Sequence, residues 1–60
     1  MCEFKVFLDG VKVAEDIIYA RAEGLRVTLR DILGKPTVLD GARIVEVDVM
    51  STRLVLSQVD

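Results

Sequence analysis

Apolar and polar residues alternate along most of this chain, and three of the alternating runs end at an acidic residue followed by glycine: Asp9-Gly10, Glu23-Gly24 and Asp40-Gly41. Alternation with a period of two is the mark of a strand with one buried face. An acidic-Gly pair between two such runs marks a tight hairpin turn. In the first run Cys2, Phe4, Val6 and Leu8 alternate with Glu3, Lys5 and Asp9, which predicts a strand over residues 2–8. Residues 11–14 form its return. Residues 17–22 and 25–32 flank the second turn, with Leu25, Val27 and Leu29 on one side and Arg26, Thr28 and Arg30 on the other. Gly34-Lys35-Pro36 breaks the chain before a short strand at 37–39. Residues 43–50 then alternate again, with Val45, Val47 and Val49 against Glu46 and Asp48. Ser51-Thr52 turns into a last strand at 53–59, with Leu54 and Leu56 on one side. A helical reading of 14–22 or 42–50 fails on the density of β-branched residues and the short punctuation. The expectation is an all-β fold of six or seven short antiparallel strands, closing as a small, strongly bent sheet or barrel. Residues 1–60 read as a single domain, without repeat or linker.

Such a domain has little interior. A chain of 60 residues buries only about 60% of the surface that its unfolded form exposes. Yet 52% of this one is hydrophobic. Its single cysteine allows no internal disulfide, so the remaining devices for a small scaffold are a metal or self-association. Self-association into a homodimer is the reading that composition supports. Charged residues make up 30% of the chain, and no apolar run approaches the roughly 20 residues of a membrane span. The Met-Cys-Glu-Phe-Lys start lacks the basic and apolar stretches of a signal peptide. A free thiol then points to a reducing cytoplasm. The net charge of −2 argues against nucleic acid, whose binders carry a basic excess, although Arg21, Arg26, Arg30, Arg43 and Arg53 could gather on one face.

The chain has no histidine and therefore no catalytic triad. Glu15-Asp16 and Asp31 read as solvated surface, and the glycines sit at turns instead of opening a phosphate-binding helix. Tyr19, Phe4 and Phe7 are too scattered for a base-stacking platform. Met50, at a strand end, suits core or interface better than metal ligation. Nothing here predicts an enzyme. Cys2 admits two readings. It extends the apolar face of Phe4, Val6 and Leu8 as a small hydrophobe, or it is a ligand. The Met1 amine, the Cys2 amide nitrogen and the Cys2 thiolate are consecutive donors, and each adjacent pair closes a five-membered chelate ring. A planar N/S strip of this kind suits Ni(II) or Cu(II); tetrahedral zinc needs more ligands than one cysteine supplies. A two-fold dimer would bring two copies of Cys2 together and complete the set. Were Met1 removed, the Cys2 amine and thiolate would still chelate.

The Met-Cys start, the 60-residue length, the central "YARAEGLRVTLRDILGK" and the closing "GARIVEVDVMSTRLVL" resemble the CooT family, small nickel-binding accessory proteins linked to carbon monoxide dehydrogenase maturation. The resemblance runs over nearly the whole chain. It implies a homodimer of small SH3- or Sm-like β-barrels, with Ni(II) held on the thiolate of Cys2 and the amine of Met1. It also implies carbon monoxide dehydrogenase or its maturation factors as partners. Two other readings compete: an Sm-like RNA-binding module using arginines such as Arg26 and Arg30, as some relatives are labelled, and a protein-interaction domain without metal.

Overall fold

The computed structural model describes residues 3–59. Six strands make one sheet: β1 (Phe4–Leu8), β2 (Val11–Glu23), β3 (Arg26–Asp31), β4 (Pro36–Asp40), β5 (Ala42–Asp48) and β6 (Arg53–Gln58). Their order across the sheet is β4-β3-β2-β1-β6-β5. No helix occurs among the described residues, as the alternation predicts. The sheet curls on itself into a small barrel-like shape. The amide of Ala42 at the start of β5 donates to the carbonyl of Leu25 in the β2–β3 turn at 2.9 Å. The two ends of the strand order are thereby brought together.

The turns follow the sequence closely. Asp9 and Gly10 both have positive φ, 49° and 85°, the conformation that an Asp-Gly two-residue hairpin requires. Gly41 (φ 73°) is the single residue between β4 and β5. It exchanges a tight bond with the last described residue, the Val59 amide donating to its carbonyl at 2.7 Å.

Three details differ from the sequence reading. Residues 11–14 and 17–22 are not two strands but one strand of 13 residues. Asp16, at φ 58°, bends the chain without ending it. Up to Ile17 the strand pairs with β1, and from Ile17 on with β3. A strand that changes partners at a bulge needs no turn, so Glu15-Asp16 looks like punctuation but acts as a corner. Second, β1 and β6 pair in parallel, with Val6 opposite Leu54 and Leu8 opposite Leu56, while the other four pairings are antiparallel. The chain runs through the whole fold between these two strands, a connection long enough for parallel neighbours. Third, a register shift between Ile44 and Glu46 leaves Val45 as an extra residue in β5. Val45 therefore falls out of phase with Val47.

The core is Val6, Ile17, Val27, Leu29, Ala42, Leu54 and Leu56, with Phe4, Leu8, Ala14, Leu39 and Ile44 half-buried around it. The alternation of residues 4–8, 27–29 and 54–56 identified these inward faces. It did not identify the face of β5, where Val45 and Val47 are exposed, as is Val49 in the turn that follows.

Candidate metal-binding end of the barrel

Cys2 and Met1, the two residues singled out as metal ligands, lie outside the described residues. What the structure gives is the setting from which they extend. Glu3 leads into Phe4 at the start of β1. The Lys5 amide donates to the Thr52 carbonyl at 2.9 Å, which ties this start to the turn between β5 and β6. Asp48 organises that turn: the Ser51 amide donates to its Oδ1 at 3.2 Å. Hydrogen bonding from Ser51 holds the Asp48 carboxyl below the ordinary carboxylate range. Met50, in the same turn, is 98% exposed, so it belongs to no core.

An apolar groove of about 270 Å³ opens beside the start of β1. Ile17 and Leu54 form its floor, and Phe4, Val47, Ile18 and Tyr19 line it. Among the described residues no charged side chain contributes to it. β2 pairs with β1 up to Ile17 and with β3 from Ile17 on, so Ile18 and Tyr19 lie beyond the last β1 pairing among the described residues. Across the gap, Val47 sits opposite buried Leu54 and so shares its inward side, yet it is 57% exposed. The sequence carried one sign of this groove. The consecutive Ile17-Ile18-Tyr19 breaks strict alternation, as a residue pair does when both faces meet apolar surroundings.

The donor chemistry of the described residues is sparse. No three of their His, Cys, Asp or Glu side chains come together as a candidate cation site. One acidic group stands apart. Oε2 of Glu3, the residue after Cys2, is buried and has no hydrogen-bond partner among the described residues. A buried carboxylate oxygen without a donor is unfavourable unless a cation or hydrogen bond compensates it.

Three of the five arginines are paired with carboxylates, while Arg30, on the same side of β3 as Arg26, donates to the Gly34 carbonyl at 3.4 Å. Arg26 Nε donates to Asp40 Oδ1 at 2.9 Å, Arg21 lies 3.2 Å from Glu23, and Arg53 lies 3.7 Å from Glu46. The hydrogen bond and charge of Asp40 raise the Arg26 guanidinium above its ordinary value. Exposed pairs like these add little stability, but each places a carboxylate where a phosphate would have to sit. Among the described residues no helix is long and apolar enough to cross a membrane.

Comparison with known proteins then settles the family. The model of the CO dehydrogenase accessory protein CooT family matches residues 1–57. No curated protein sequence matches the chain. With nearly its whole length matched, the chain belongs to the CooT family of CO dehydrogenase accessory proteins.

Proposed function

From that membership we propose that the protein is not itself an enzyme but a cytoplasmic nickel carrier for carbon monoxide dehydrogenase maturation, acting as a homodimer. Ni(II) is its cargo. The thiolate of Cys2 is the proposed anchor, with the Met1 amine and the intervening amide as adjacent donors. The observation that carries this reading is the distribution of donors. The chain has one thiol and no imidazole, and its described residues assemble no competing cation site. The soft-donor chemistry is thus confined to the Met-Cys segment, which lies inside the stretch that the family model matches. The Glu3 oxygen, without a partner among the described residues, supports it further, since a cation bound at the two preceding residues would be a compensating charge. The pairing of Arg21, Arg26 and Arg53 with carboxylates and the net charge of −2 weigh against the RNA-binding reading.

The test is a Ni(II) titration followed by thiolate-to-metal absorption. The wild-type protein takes up nickel stoichiometrically, and Cys2→Ser abolishes tight binding while circular dichroism stays unchanged. A variant with extra residues ahead of Met1 keeps Cys2 and its amide but removes the adjacent amine. Loss of affinity in that variant assigns the amine as a ligand, and unchanged affinity assigns the remaining donors elsewhere. Nickel binding that survives Cys2→Ser overturns the proposal, and Cys2 is then only the first residue of an apolar strand. Copper(II) should bind at least as tightly in vitro, following the intrinsic order of divalent affinities.

A further inference from the structure

We infer that the loop between β3 and β4 is a docking knob for a partner protein: Ile32 and Leu33 enter an apolar pocket on the partner, and Arg30 and Lys35 meet carboxylates on its rim. The inference rests on the accessory role proposed above for the choice of partner, CO dehydrogenase. The surface argument is independent of nickel.

The loop is built to hold apolar side chains in water. Leu33 is 89% exposed and Ile32 49%, and neither packs on the core. Asp31 organises the backbone around them. Its Oδ1 accepts from the amides of Leu33 and Lys35, both at 2.9 Å. The Gly34 amide donates to the Asp31 carbonyl at 2.9 Å, and the Asp31 amide to the Lys35 carbonyl at 3.1 Å. The Ile32 amide donates to the Asp16 carbonyl at 3.0 Å, which fastens the loop to the corner of β2. Every amide from Asp31 to Lys35 therefore has an acceptor within the protein. A segment ordered in this way loses little conformational freedom when a partner binds. The side chains of Ile32 and Leu33 take no part in the network, so the fold itself does not need them to be apolar.

The flanking residues specify what the pocket must offer. Of the eight Lys and Arg side chains, four are paired with a carboxylate among the described residues. Arg30 and Lys35, on either side of the apolar pair, are not among those four. Arg30 donates to the Gly34 carbonyl at 3.4 Å, which leaves most of its planar fork of donors for a carboxylate. Asp31, the acid within the loop, commits Oδ1 to the loop's own amides. Tyr19, 44% exposed, stands opposite Arg30 on β2. Arg and Tyr are enriched among the residues that carry binding energy at protein interfaces. Two apolar side chains and two cations are too few to hold a membrane surface, and one tyrosine is no stacking platform for RNA. A protein pocket can enclose Leu33 and pair with Arg30 at once.

The experiment measures binding to purified, nickel-free CO dehydrogenase by biolayer interferometry, for the wild type, Leu33→Ser, Arg30→Glu and, as a control, Val11→Ser. Val11 is 64% exposed beside the Asp9-Gly10 turn. All three positions are exposed, so far-UV circular dichroism should stay that of the folded strand protein. The control is expected to bind like the wild type. Leu33→Ser and Arg30→Glu are expected to weaken binding about tenfold or more, and added salt should weaken the wild type more than Arg30→Glu. A wild type that does not bind at enzyme concentrations on the order of 100 μM, or loop variants that bind like the control, overturns the inference. Loop variants that change the protein's own mass in light scattering also overturn it, because the loop then contacts a second copy. So does association with phosphatidylserine vesicles, lost in the loop variants, without binding to the enzyme. A parallel Ni(II) titration separates the two claims. If the loop variants bind the enzyme like the control and the wild type takes up nickel, the docking knob falls and the carrier reading stands. If the loop variants lose the enzyme and the wild type takes no nickel, the docking knob stands and the carrier reading falls.

Discussion

The two ends of this small barrel use the same kind of sequence to opposite effect. In the closed half, Val6, Val27, Leu29 and Leu56 are completely or almost completely buried, and Val27 and Leu29 alternate with polar neighbours. At the open end, Ile18, Tyr19, Val47 and Val49 are just as apolar, and each is more than two-fifths exposed. The difference lies in what stands opposite. Val27 and Leu29 sit on β3, which has β2 on one side and β4 on the other. Val47 sits on β5 at the end of the strand order, with β6 as its only neighbour there. Apolar content therefore shows that a surface wants cover. It does not show whether the chain itself supplies it.

The strongest test of this contrast replaces one residue from each half. Leu29→Ala leaves a cavity in the closed half and should cost about 2–5 kcal/mol, enough to unfold a domain whose core supplies only about 3–5 kcal/mol. Val47→Ala, measured in protein dilute enough to be single chains, should stay within about 0.5 kcal/mol of wild type. Urea denaturation followed by circular dichroism reads both. Equal losses would mean that the groove is covered within one chain, and the contrast would be void.

A smaller effect is expected at the corner that separates the halves. Asp16 holds a left-handed backbone conformation, φ 58°, which a β-branched residue adopts poorly. Asp16→Val should destabilise by about 1–2 kcal/mol, while Asp16→Gly should be neutral or stabilising. Thermal unfolding of the pair checks this. If Asp16→Val melts with wild type, the bend in β2 does not depend on that conformation.

The smallest effect belongs to the turn beside the groove. Because Ser51 holds the folded-state pKa of Asp48 below the ordinary value, its stabilising contribution is present above the unfolded-state pKa and is lost as pH falls through the lowered folded-state value. The melting-temperature advantage of wild type over Asp48→Asn should therefore be constant near neutrality. It should shrink through the acidic range and vanish below the Asp48 pKa. An advantage that persists in acid would show that shape, not charge, holds the turn.

The strands, the hairpin at Asp9-Gly10 and the inward faces of β1, β3 and β6 were legible in the sequence, because alternation and turn chemistry are local and these strands have neighbours that use them. Three features were not: the union of 11–14 with 17–22, the parallel pairing of β1 with β6, and the exposure of Val47. Each depends on which strand stands beside another. Asp16 looks the same in sequence whether it ends a strand or bends one, and only the change of partner from β1 to β3 distinguishes the cases. The register slip at Val45 cannot be seen in β5 alone, because a bulge is defined against β6. Local chemistry made this chain a set of amphipathic strands. Tertiary structure decided which apolar faces close on each other and left one open, because a 60-residue sheet curls round too small an interior to bury all the apolar surface it carries.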